Sequence, residues 1–220
     1  MIIDERTASF IDLMDKGKEP FLEGLEERAL AEGVPIIRRP TQSLLRFLIS
    51  YAKPKRILEI GTAVGFSALL MSSAAPAEAH IDTIEKYEKR IPVARENFAE
   101  ACKRGECKMT EGRISLLEGD ASLILPKLSG PYDLIFMDAA KGQYINWLPE
   151  VLRLLPKGGL LVSDNILQDG DIIESRFAVT RRDRTIHSRM REYIYELMHD
   201  DELETVLLPV GDGMMLSTKS

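Results

Sequence analysis

From Lys53 to Ser163 short apolar runs alternate with amphipathic stretches, and that rhythm leaves the chain very few folds. Arg56–Ile60 (RILEI) reads as a buried strand and Ser67–Ala75 as a helix. His80–Ile84, Ile114–Leu117, Tyr132–Met137 and Gly159–Ser163 repeat the strand pattern. Helical Tyr87–Lys103, Ala121–Leu128 and Gln143–Leu155 separate them. Five such strands imply a parallel sheet covered by helices on both faces. Right-handed crossovers then leave variants of the doubly wound, Rossmann-like α/β fold. The rhythm breaks after a helical Ser188–Met198. There Glu204–Leu208 and Met214–Thr218 flank Pro-Val-Gly-Asp-Gly, which predicts an antiparallel C-terminal hairpin closing a mostly parallel seven-stranded sheet. Ahead of the alternation, Glu19–Glu32 places Phe21, Leu22, Leu25, Ala29 and Leu30 at helical spacing until Gly33 and Pro35 stop it. Pro40 and Thr41 open a further helix with Leu44, Leu45, Leu48 and Ile49 on one face. The expected layout is a single domain over 1–220, with a helical cap (1–52) on a Rossmann-like core (53–220).

Composition excludes several classes. Hydrophobic residues at 45% and charged residues at 29% give a globular balance rather than a disordered one. No apolar run approaches the roughly 18 residues of a membrane helix. The polar, acidic start MIIDERTASF does not read as a signal peptide, so a cytoplasmic location is expected. Cys102 and Cys107 sit in a lysine-rich, surface-like stretch and read as incidental thiols of a reducing compartment rather than a disulfide or metal pair. A net charge of −6 argues against a surface that coats nucleic acid throughout, yet not against a local basic patch. Arg176, Arg181, Arg182, Arg184, Arg189 and Arg191 form one, with Asp183 the sole acid among them. Most of them fall in the long connection between Ile166 and His187, a length that tends to be functional or mobile.

The segment LEIGTAVGFSALL puts Glu59, Gly61 and Gly65 at the end of the first strand, where a tight strand-to-helix turn lets a ligand approach the backbone. G-x-G-x-x-G is absent, so this is not the dinucleotide fingerprint; E-x-G-x-x-x-G is the pattern of S-adenosylmethionine binders. A turn that needs two glycines only for packing is the alternative. Glu85 ends the second strand, where a carboxylate accepts both ribose hydroxyls of an adenosine cofactor. Asp120 ends the third, where it can accept from the adenine amino group, in competition with a helix N-cap role. Ser67 sits where a helix N-terminus could hold the methionine carboxylate. Acids ending three neighbouring strands line one crevice.

Asp138 ends strand four and Asp164-Asn165 end strand five, and neighbouring strand ends lie roughly 5 Å apart. Two carboxylates and an amide oxygen suit a hard ion of the Mg²⁺ kind, whereas zinc would call for His or Cys. Lys141, three residues after Asp138, could reach the same spot as a general base, or be an ordinary surface lysine.

Asp138-x-x-Lys141-x-x-Tyr144 followed by Asp164-Asn165 resembles the catechol and caffeoyl-CoA O-methyltransferase group over nearly the whole chain from about Glu19. The resemblance implies S-adenosylmethionine as methyl donor, with Ile36, Glu59, Gly61, Ser67, Glu85, Asp120, Ala121 and Asp138 around it. It implies Asp138, Asp164 and Asn165 as ligands of Mg²⁺ or Mn²⁺, Lys141 as base with Asp138 beside it in the chemistry, and a homodimer. Catechol methyltransferases carry a tryptophan just before that lysine as a wall for the ring; here Ala140 stands there, and Trp147, further along the helix, reads as core. An acid near Val206, which would hold a second hydroxyl, is also missing. Within the group the sequence is most similar to bacterial tRNA 5-hydroxyuridine methyltransferases, which imply the anticodon-loop wobble base as substrate and 5-methoxyuridine as product. O5 and O4 of that base are vicinal, as in catechol, and a single-stranded base can be splayed into an open pocket. Arg181, Arg182 and Arg184 would then contact phosphates, unless the segment is a solvated loop and helix face paired with Glu192 and Glu196. Two other readings stay open: a small-molecule O-methyltransferase for a catechol-like phenol, and a non-catalytic adenosyl-binding protein. The intact Asp138, Lys141, Asp164, Asn165 set speaks against the last.

Overall fold

The computed structural model describes residues 5–220, so the start that argues against a signal peptide lies partly outside the described residues. Seven strands, β1 (Arg56–Ile60), β2 (His80–Glu85), β3 (Ile114–Glu118), β4 (Leu134–Met137), β5 (Leu160–Ser163), β6 (Leu203–Leu208) and β7 (Met214–Lys219), form one sheet in the order β3-β2-β1-β4-β5-β7-β6. The first five strands pair in parallel, and β7 enters antiparallel between β5 and β6. This is the expected Rossmann-like sheet with its antiparallel end, and it reverses strand order at β1 and β4.

Eight helices accompany the sheet: α1 (Glu5–Met14), α2 (Pro20–Ala31), α3 (Arg39–Ala52), α4 (Phe66–Ala74), α5 (Ile91–Arg104), α6 (Ala121–Ile124), α7 (Tyr144–Leu154) and α8 (Arg184–His199). Successive strand residues point to opposite faces, which divides the core in two. Ile57, Ile81, Leu134, Phe136 and Val162 pack against α2, α3, α4 and α5. Leu58, Ile60, Ile84, Ile135, Met137 and Leu161 pack against α6, α7 and α8. Polar Glu59 lies on the first of these faces and is fully buried there. Among the described residues no helix is long and apolar enough to cross a membrane.

Several boundaries differ from the sequence reading for local reasons. The Ala121–Leu128 helix stops at Ile124 and tightens into a 3₁₀ turn over Leu125–Lys127, because Pro126 has no N–H to continue the ladder. Helix α5 begins at Ile91 rather than Tyr87, since Pro92 has no N–H to bond back to Glu88 O and so stands in the first turn. Helix α8 begins at Arg184, four residues before Ser188. Its polar first turn hides from an apolar-periodicity reading, although Asp183 O already accepts the His187 amide at 2.8 Å. Cys107 is buried rather than surface-like, its N–H donating to Glu19 and its C=O accepting from Ser72, and both cysteines are free thiols.

Candidate active site

The parallel ladder runs past the strands into the residues singled out by sequence. Gly61 N–H donates to Ile84 O at 3.0 Å, Asp138 N–H to Ile60 O at 3.0 Å, and Asp164 N–H to Met137 O at 2.9 Å. Strand pairing therefore sets all three at one level of the carboxyl edge. A cavity of about 370 Å³ opens there, where the strand order reverses. That reversal is the usual ligand crevice of such sheets.

One half of the cavity lies over β1 and β2. Gly61 (φ +110°) and Gly65 (φ +86°) hold the turn in left-handed backbone, and a Cβ on Gly61 would overlap the Asp138 carbonyl oxygen. The turn is thus pressed against β4, and only glycine fits. The Glu85 carboxylate accepts the Ala63 amide on one oxygen and the Tyr87 amide on the other, each at 2.7 Å, which locks the loops after both strands around it. Glu85, Gly61, Ala121 and buried Ser67, in the first turn of α4, line the wall, and Ile36 covers it from the α2–α3 link with Pro35 and Ile37.

Two predicted cofactor residues sit elsewhere. Asp120 caps α6, accepting the Ser122 amide at 2.8 Å, and pairs with Lys86; its neighbours Gly119 and Ala121, not its side chain, form the wall. The Ser122 amide holds the Asp120 carboxyl below its ordinary value. Glu59 lies beneath the floor: one oxygen accepts the Thr83 hydroxyl, which takes a hydrogen bond from Thr62, and the other, on the side of the Ser67 hydroxyl, completes no hydrogen bond among the described residues. Burial pushes its carboxyl up to about 7, against the opposing pull of the Ser67 and Thr83 hydroxyls.

The other half lies over β4 and β5. Asp138, Lys141 and Asn165 line the cavity, and buried Asp164 stands just behind, facing Thr41 of α3 at 3.4 Å. Asn165 adopts left-handed backbone (φ +61°), and its amide nitrogen donates to Asp138 Oδ1 at 2.7 Å. Burial raises both carboxyls. For Asp164 the Asp138 charge raises it further; for Asp138, Lys141 and the Asn165 hydrogen bond pull it back. Among the described residues no group of three or more His, Cys, Asp or Glu side chains is placed to hold a metal. What exists is a set of two acids and an amide. Its donor chemistry fits a hard divalent cation: the carboxylates are desolvated, repel one another, and have Lys141 as the cation acting on both.

Sequence reasoning missed part of the wall. Thr62, Ala63, Tyr87, Arg90, Pro35 and Ile37 all line it, and their signal was position alone, immediately after a strand or inside the α2–α3 link. Trp147, read as core, is buried and also forms wall beside Ala121, its indole N–H donating to Ser122 Oγ at 2.9 Å. The arginine segment flanks the same mouth. Arg189 donates to Gly142 O at 3.0 Å, so α8 rests on the turn that carries Lys141. Arg181 and Arg182 are exposed, and Arg184 lies over the ring of Phe177, which is 82% exposed. Among the described residues none of the six arginines forms an ion pair, so pairing with Glu192 and Glu196 is not what holds them.

A sheet of this order with a glycine turn, an acid ending β2 and a cavity at the switch point defines a Rossmann-like methyltransferase of class I. More narrowly, the chain belongs to the O-methyltransferase family, whose family model matches residues 16–220. It is 35% identical to a catechol O-methyltransferase of Niastella koreensis over 153 residues, 66% of each chain. It is 32% identical to caffeoyl-CoA O-methyltransferase 2 of Populus trichocarpa over 186 residues, covering 78% of this chain and 70% of that one. The crystal structure of the SAH-bound methyltransferase PaMTH1 of Podospora anserina superposes with a TM-score of 0.85 at 28% identity, covering 99% of this chain and 97% of the other.

Proposed function

We propose that the protein transfers a methyl group from S-adenosylmethionine to a hydroxyl of a small aromatic substrate carrying two vicinal oxygens, with a divalent cation in the site. One observation carries this reading: the cavity walled by Gly61, Ser67 and Glu85 runs directly to Asp138, Asn165 and Lys141, with buried Asp164 just behind them. The names of the catechol and caffeoyl-CoA relatives support the substrate class. Asp138, Asp164 and Asn165 would hold the ion, Asn165 through its Oδ1 while its nitrogen keeps Asp138 in place. Bound there, Mg²⁺ or Mn²⁺ would supply Lewis acidity toward a substrate hydroxyl and offset the two carboxylate charges. Glu85 keeps lone pairs beyond those used by Ala63 and Tyr87 and turns them to the ribose hydroxyls. Ser67 and the first-turn amides of α4 orient an anionic carboxylate. Lys141 Nζ would take the hydroxyl proton from its neutral amine form, and the fixed strand ends supply the alignment that methyl transfer requires. Excess EDTA should abolish turnover of catechols, and Mg²⁺ or Mn²⁺ should restore it; full activity in chelator would sink the metal.

The arginine segment favours a second reading, in which the vicinal oxygens belong to 5-hydroxyuridine at the tRNA wobble position. Its support is the run of arginines without ion pairs, the exposed Phe177 under Arg184, and Ala140 in place of a ring-confining tryptophan. Replacing Arg181, Arg182 and Arg184 by Ala should then weaken tRNA binding. Each lost phosphate contact should reduce the slope of log K against log salt by roughly 0.7–0.9. No tRNA affinity in the wild type, with good turnover of free catechols, would leave the small phenol alone.

A further inference from the structure

We infer that Tyr144 is a positioning residue whose hydroxyl pins the ends of β4 and β5 together and so sets the spacing of the Asp138 and Asp164 carboxylates. The inference rests on the metal-assisted reading above. Met137 and Ser163 are the last paired residues of β4 and β5, so the ladder ends one residue before each carboxylate. Past that point one backbone bond, from the Asp164 N–H to Met137 O, and the Asn165 side chain on Asp138 join the two strands, where the two acids stand side by side. The Tyr144 hydroxyl occupies this gap. It accepts the Ala139 N–H at 3.1 Å and faces the carbonyl oxygens of Met137 at 3.1 Å and Asp164 at 3.4 Å, to either of which its proton can be donated. It therefore touches the backbone on both sides of Asp138 and that of Asp164 itself. The side chain is fully buried. The edge of Tyr193 meets its ring at 5.5 Å, and the Tyr193 hydroxyl bonds Ser163 Oγ at 2.6 Å. A phenylalanine would fill the same volume, so packing alone does not account for the hydroxyl; the Ala139 N–H and the Asp164 C=O, which the ladder leaves over, do, with Met137 O beside them.

Groups that orient ligating residues tune metal affinity nearly as strongly as the ligands. The test compares Tyr144→Phe with Tyr193→Phe, using Mn²⁺ alone and reading free Mn²⁺ by electron paramagnetic resonance. Tyr144→Phe should weaken Mn²⁺ binding by about ten-fold, with S-adenosylmethionine affinity nearly unchanged by calorimetry. Tyr193→Phe loses an equally buried hydroxyl whose partners are the side chains of Ser163 and Met137 rather than the backbone beside Asp138, and should keep most of its Mn²⁺ affinity. If both variants lose thermal stability while binding Mn²⁺ like the wild type, the hydroxyl is only structural and the inference falls. If the wild type itself binds no Mn²⁺, the metal-assisted reading falls and takes the inference with it. A measurement on the unaltered protein guards against a variant that does not fold: the Ala139 amide should be protected from hydrogen exchange, and exchange at the rate of an open loop would overturn the pin.

Discussion

Where β1 and β2 end, the Glu85 carboxylate has a backbone amide on each oxygen; where β4 and β5 end, two neighbouring carboxylates have one side-chain amide on Asp138, the Thr41 hydroxyl facing Asp164, and one lysine acting on both. The first region is complete without a ligand, since its hydrogen bonds build the loops that form the wall. The second holds charge that the fold alone does not neutralise. A fold keeps such a conflict only where it is constrained from several sides, and these places tend to be where chemistry occurs. The contrast assigns opposite costs to the two regions: removing a charge from the first should damage the structure, and removing one from the second should relieve it.

The largest effect should come from breaking the seam that joins them. Gly61→Ala would drive a methyl group into the Asp138 carbonyl and strain a backbone at φ +110°. A loss of about 4 kcal/mol is expected, or roughly 10 °C in thermal midpoint, with both S-adenosylmethionine and metal binding impaired. A Gly61→Ala protein that melts like the wild type would mean the two regions are not in rigid contact.

Charge removal on either side sharpens the comparison. Asp164→Asn should abolish turnover yet stabilise the metal-free protein by about 1–3 kcal/mol, because an isosteric neutral group ends the repulsion with Asp138. Glu85→Ala should do the reverse. It strands the Ala63 and Tyr87 amides, lowers the melting temperature, and weakens S-adenosylmethionine binding by about 10–100-fold, the range for a hydrogen bond to a charged group. Lys141→Ala should lower turnover while leaving cofactor affinity in place. Calorimetry and melting curves on the three variants check these signs together; destabilisation by both Asp164→Asn and Glu85→Ala would erase the contrast.

Which parts of this contrast were legible in the sequence follows from what each signal encodes. Strand ends are marked by apolar runs, so Gly61, Glu85, Asp138, Asp164 and Asn165 could all be placed on one edge before any coordinates. Depth was not encoded. Glu59 and Ser67 belong to the same motif, yet alternation along β1 sends Glu59 beneath the floor while Ser67, in the first turn of α4, lines the wall. Asp120 fills the N-cap role that competed for it, with Oδ1 on the Ser122 amide, while its neighbours Gly119 and Ala121 line the wall. The partners of Tyr144 are backbone atoms, which no side-chain pattern reveals. Helix α8 was read short because its first turn carries arginines rather than an apolar stripe.

The smallest effect, and the one that probes the first region most finely, concerns Glu59. That region is complete at Glu85 but not beneath it, where one Glu59 oxygen completes no hydrogen bond among the described residues and burial raises the carboxyl from an ordinary 4.5 to about 7. Between these values the folded protein holds a proton that the unfolded chain has released. Stability from this group is therefore full below about pH 4.5 and is lost as the pH rises through about 7. Glu59→Gln replaces the protonated acid by a neutral group of the same shape that can still accept from Thr83. The variant should match the wild type near pH 5 and become progressively the more stable of the two toward pH 8. The Asp138 and Asp164 carboxyls are raised too and also make stability fall with pH, but they are present in both proteins and largely cancel from the difference. Melting temperatures of the two proteins, taken in chelator at several pH values, give that difference directly. A gap that stays constant with pH would show that Glu59 does not change protonation in this range, and the first region would then be electrostatically complete down to its floor.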